Sequence, residues 1–165
     1  MIKHRLFIAI ASLLIFTSAS TYAHPENTQE NANNGVKGVD HIGLTVSDLL
    51  ASKTFFVDIL GFNVLGEDTH YPAVFLSNSH ITITLWQVKN TAQLVPFNRT
   101  NNVGLHHLAL AVESLEKLNE LYKRLAQQNN ITIEFAPENM GSGPTKHMMI
   151  TEPSGNRIEF ITRVK

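Results

Sequence analysis

The chain is 165 residues long, 43% hydrophobic and 16% charged, with a formal net charge of −1. That balance gives enough apolar mass for one compact core, and the lack of any Lys/Arg run argues against nucleic acid as a partner, since a phosphate-binding surface needs clustered positive charge. Cysteine is absent, which excludes disulfides, thiolate metal ligands, a cysteine nucleophile and a lipidated cysteine.

The first stretch, "MIKHRLFIAIASLLIFTSASTYA", begins with Lys3 and Arg5, runs through apolar residues from Leu6 to Phe16 and ends on small residues at Ala23. This is the order of a cleavable secretory signal peptide, and the apolar run is too short to span a bilayer comfortably. Residues 1–23 are therefore expected to be removed, leaving no membrane partner and a periplasmic or secreted location. Loss of Lys3 and Arg5 takes the formal charge from −1 to −3. The polar, Asn-rich segment 24–37 reads as a flexible lead-in. Residues 38–165 are expected to form a single domain.

That domain is written twice. His41-Ile42-Gly43-Leu44-Thr45-Val46 is matched 66 residues later, 41 onto 107, by His107-Leu108-Ala109-Leu110-Ala111-Val112. Both copies have period-2 alternation, so each predicts a strand with bulky residues on one face and a histidine with small companions on the other. A helix follows each strand. Asp48 or Ser47 caps the first, whose apolar positions Leu49, Phe55, Phe56 and Ile59 precede a stop at Gly61. Ser114 is a weaker cap for the second, whose stripe of Leu115, Leu118, Leu121, Tyr122 and Leu125 is plain core packing. Three strands then follow in each half, about 61–66, 71–77 and 80–88, then about 131–135, 145–151 and 156–163. The fold class is α+β: two tandem βαβββ modules, 38–88 and 105–163, joined by a linker at 89–104 and forming a cupped mixed sheet around one cavity.

"GVDHIGLTVSDLLASKTFFVDILGF", "LHHLALAVESL" and "EPSGNRIEFI" carry a resemblance to the vicinal oxygen chelate superfamily of glyoxalases, bleomycin-resistance proteins and extradiol dioxygenases. It covers residues 38–163. The resemblance implies metal ligands on the first and last strands of each module, at His41, Thr84, His107 and Glu159. Alternation agrees, placing Glu159 opposite the core-facing Ile158 and Phe160. Two imidazoles and a carboxylate, His41, His107 and Glu159, are a ligand set for a divalent ion such as Fe, Mn, Zn or Ni, with positions left open for water and a substrate. Threonine is a poor ligand and no general base at neutral pH. Since glyoxalase I has a glutamate at the position of Thr84, glutathione-dependent glyoxalase activity is not expected.

The resemblance thus implies a glyoxalase- or dioxygenase-like metalloprotein acting on a small oxygen-chelating substrate. His147, which starts the penultimate strand after "GSGPTK", is a candidate catalytic acid/base. The alternative is a metal-independent binding or sequestration protein of the bleomycin-resistance type, with Trp86, Phe97 and Met149 lining its cavity. Relatives often form dimers that exchange modules, so the small-molecule site is expected within one chain or across a homodimer. His106 should lie on the face opposite His107, and His24, His70 and His80 carry no clear signal. "GSGPTK" is no phosphate loop, because its spacing is wrong and a strand follows it.

Overall fold

The computed structural model of the protein describes residues 35–163. The signal peptide expected over residues 1–23, and all but the end of the segment 24–37, lie outside the described residues. Among the described residues, eight strands and two α-helices run in the order β1 (His41–Val46), α1 (Leu49–Thr54), β2 (Asn63–Asp68), β3 (Ala73–Ser77), β4 (Thr82–Gln87), β5 (Leu108–Ala111), α2 (Leu115–Leu125), β6 (Thr132–Asn139), β7 (Lys146–Thr151) and β8 (Arg157–Thr162). They form two four-stranded mixed sheets, β1-β4-β3-β2 and β5-β8-β7-β6. In each, the first strand runs parallel to the last and the other pairs are antiparallel. This is the expected pair of βαβββ modules.

Local chemistry explains the elements. Asp48 caps α1 by accepting from Ala51 N at 2.9 Å, and Ser114 caps α2 by accepting from Lys117 N at 3.2 Å. The first helix departs from the plain α-helix expected, since it continues as a π-helical turn, Phe55–Ile59, before Gly61 ends it at φ +76°. Phe55 and Phe56 are both buried in that turn and meet edge to face at 5.0 Å. Strand β6 runs longer than its expected 131–135. Pro137 obscures it in the sequence, but β6 is an edge strand and bends through two register shifts, so the missing N–H is tolerated.

Alternation divides each sheet into two faces. Leu44, Val46, Ile83 and Leu85 of the first sheet, and Leu108, Met148, Ile150, Ile158 and Phe160 of the second, join Phe55, Phe56, Leu118 and Leu125 in one buried cluster. A polar clasp also links the modules. Ser52 Oγ on α1 donates to Glu152 Oε2 at 2.7 Å, and Asn156 Nδ2 donates to the carbonyl of Thr45 at 3.1 Å. The opposite faces, which carry the repeated histidines, hold the candidate site.

Candidate functional site

The parallel pairing of β5 with β8 sets Ala109 beside Glu159, and β7 sets Met149 on its other side. Paired residues point to the same face of a sheet, as do residues two apart on a strand. Arg157, Glu159 and His147 therefore share the face away from the core, and His107, just before β5, reaches the same carboxylate. Glu159 is only 4% exposed, so its carboxylate requires partners, and it has two. Its Oε2 lies 3.2 Å from His107 Nε2, and its Oε1 lies 2.6 Å from His147 Nδ1. His147 is largely buried, rests on the ring of Phe135 at 4.9 Å, and has its Nε2 4.0 Å from Glu138.

The structure thus brings together His107, Glu159 and His147, three of the four residues singled out in the sequence. His41 stands elsewhere: exposed at the start of β1, its Nδ1 lies 2.7 Å from Asp40 Oδ1. Among the described residues, no hydrogen bond or ion pair joins it to the other three, and no group of three His, Cys, Asp or Glu side chains is arranged to hold a metal ion. The donor chemistry of the His107–Glu159 pair nevertheless suits a divalent ion. Donors bound at about 2.0–2.2 Å around one ion lie roughly 3 Å apart, close to the separation of these two atoms. His147 then supplies the hydrogen bond that a ligating carboxylate usually has.

In the first sheet, Thr84 takes the register position of Glu159, beside Gly43. Its buried hydroxyl accepts from Trp86 Nε1 at 2.8 Å, and Trp86 packs on Tyr71 and Phe75. One module face is aromatic and the other is acid–base.

His106 differs from expectation. The strand begins at Leu108, so alternation does not govern the two residues before it, and the His106 ring meets His107 edge to face at 5.1 Å rather than lying opposite. Their Nδ1 atoms are 2.8 Å apart. Desolvation first, and then the positive charge of Arg157, holds the His106 imidazole below its ordinary pKa.

A cavity of about 460 Å³ adjoins His107. The linker supplies Leu94 to Phe97 along its wall, β1 supplies Gly43 and Thr45, and β8 with its preceding turn supplies Asn156 and Arg157. Arg157 is anchored through Nε to both carboxylate oxygens of Glu134, at 2.8 and 2.9 Å. Of the three apolar residues proposed for a binding-only cavity, Phe97 lines it, whereas Trp86 and Met149 do not. Alternation along the last strand places Arg157 on the Glu159 face, and it lines the cavity; sequence reasoning missed Asn156 as a cavity residue, although it lies in the "EPSGNRIEFI" segment it singled out.

Residues 38–160 match the Glyoxalase/Bleomycin resistance protein/Dioxygenase superfamily. The chain belongs to that superfamily. It is 32% identical over 91 residues to a catechol-2,3-dioxygenase of Bacillus subtilis (strain 168), a match covering 53% of this chain and 30% of that one. The chain therefore spans less than a third of that dioxygenase. A probable trivalent organoarsenical cleaving enzyme of the same organism is 28% identical over 120 residues, 73% of this chain and 76% of its own. Among solved structures, a glyoxylase/bleomycin resistance protein/dioxygenase domain from Frankia sp. EAN1pec superposes with a TM-score of 0.68 at 22% identity, covering 79% of this chain and 94% of that one. A fosfomycin resistance protein from Listeria monocytogenes superposes at 0.59 with 18% identity, over 78% and 95% of the two chains. These two likenesses establish the shared fold of the superfamily.

Proposed function

We propose that this member of the superfamily is a metal-dependent enzyme acting on a small oxygen-chelating organic substrate. A single observation carries the reading: Glu159, a buried carboxylate, is held between two imidazoles at 3.2 and 2.6 Å on a sheet face whose neighbouring His107 opens onto a cavity. A divalent ion bound there supplies Lewis acidity to substrate oxygens. His107 and Glu159 are its ligands, and His41 is the third ligand that the family resemblance implies. Because His41 does not meet them within one chain, a second copy in a homodimer is the proposed source of the complete set.

The remaining steps belong to the chain's own side chains. His147, with Nδ1 committed to Glu159, has Nε2 left to accept or return a substrate proton. The linker residues Leu94 to Phe97 form one wall of the cavity in which that molecule would sit. Thr84 offers no second carboxylate, so the chemistry is not that of a glutathione-dependent glyoxalase. The order of residues 1–23 supports export to the periplasm or medium, checked by mass analysis of the mature N-terminus.

The test is metal analysis of protein purified without chelator, repeated on His107→Ala. Stoichiometric metal in the parent, lost in the variant, is the expected result. No metal in either leaves the cavity as that of a metal-independent small-molecule binding protein and overturns the proposal.

A further inference from the structure

We infer that Asp40 and His106, the residues immediately before the two repeated histidines, are matched positioning residues that grip Nδ1 of His41 and His107 and leave Nε2 of each as the donor nitrogen. The shift that lays His41 on His107 also lays Asp40 on His106, and the structure gives the two pairs the same contact. Asp40 Oδ1 lies 2.7 Å from Nδ1 of His41, and His106 Nδ1 lies 2.8 Å from Nδ1 of His107. The function of these contacts rests on the metal reading above. Their existence rests on geometry alone.

A neutral imidazole carries one N–H and one lone pair, and holding one nitrogen decides what the other presents. A carboxylate only accepts, so Asp40 requires the proton of His41 on Nδ1, which leaves a lone pair on Nε2. That is the form a ligand must have. His106 is more adaptable, because its own Nδ1 either donates or accepts. It donates when His107 Nε2–H points at Glu159, 3.2 Å away. It accepts when His107 must offer the Nε2 lone pair to a cation. In both forms one proton lies between the two Nδ1 atoms, and the His107 ring stays oriented on Glu159.

A purely structural role does not explain these pairs. The side chain of Asp40 is 96% exposed, and such a surface pair contributes little to folding. His106 is exposed as well. What both contacts do is orient a ring.

The test combines zinc binding, measured by competition with a chromophoric chelator, with ¹⁵N-histidine NMR of the metal-free protein. Asp40→Ala and His106→Phe should each weaken zinc binding about 10–100-fold, the usual effect of losing an outer partner of a ligand, with the melting temperature unchanged. Asp40→Asn and His106→Asn retain an oxygen close to the original acceptor and should restore most of the affinity. The metal-free spectrum should show His41 protonated at Nδ1. Wild-type zinc affinity in Asp40→Ala or His106→Phe, or His41 found unprotonated at Nδ1, overturns the inference. A parent protein that binds no zinc overturns the metal reading itself.

Discussion

Ser52→Ala tests the clasp that joins the modules. Ser52 is fully buried on α1, and its hydroxyl donates to Glu152 Oε2 at 2.7 Å while touching Ser154 Oγ at 2.8 Å. Glu152, 2% exposed, also accepts from the backbone N–H and the side-chain amide of Asn156, at 3.0 and 2.9 Å. A hydrogen bond to a charged group contributes about 1.5–3 kcal/mol, and among the described residues no second hydrogen bond to Oε2 stands in for the lost donor. Ser52→Ala should therefore destabilise by about 1.5–3 kcal/mol, lowering the melting temperature by about 6–12 °C for a domain of this size. Glu152→Ala should cost more, because it also strips the Asn156 backbone N–H of its side-chain acceptor. The assay is urea and thermal unfolding of the two single variants and the double variant. The cycle should return a coupling of about 1.5–3 kcal/mol. A loss below about 0.5 kcal/mol for Ser52→Ala, or a coupling near zero, refutes the reasoning and makes the clasp an incidental contact.

Three further outcomes follow from other parts of the fold. Glu159→Gln keeps the volume but removes the charge between His107 and His147, and it should weaken zinc binding more than about tenfold while the protein stays folded; chelator competition and circular dichroism measure the two. Phe56→Ala empties a fully buried position that meets Phe55 and Phe62 edge to face at 5.0 and 5.5 Å, and should cost about 3–5 kcal/mol by urea unfolding. Lys117, 2.8 Å from Glu120 on α2, holds that carboxyl below its ordinary pKa. The pair's contribution is therefore present above the ordinary carboxylate range and fades as pH falls through the depressed value. Lys117→Met should raise the Glu120 value toward the ordinary one, read by ¹³C NMR titration, and an unmoved titration refutes the attribution.

Much of the architecture was legible because it is local. Alternation at Ile42, Leu44 and Val46 marked a strand face, and the stripe from Leu115 to Leu125 marked a helix face; both are set by backbone periodicities of two and 3.6 residues. The repeat made two modules the economical reading, and the register of Gly43 with Thr84 and Ala109 with Glu159 follows it in both sheets. Glu159 was legible for a related reason. A carboxylate between Ile158 and Phe160 in a strand has nowhere to point but the other face.

What a single strand cannot reveal is which groups from other strands meet it. That Glu159 joins His147 as well as His107, that His41 turns to Asp40, and that His106 lies beside His107 are contacts set by sheet pairing and by where a strand begins. The cavity is likewise non-local, because its walls come from the linker, β1 and β8.

The amino-acid order by itself determined the duplicated βαβββ plan, since repeated hydrophobic periods and cap residues act within a dozen residues of chain. Only the tertiary structure decided the site's membership. Hydrogen bonds between side chains 12 to 102 residues apart depend on angles and distances that no local pattern encodes.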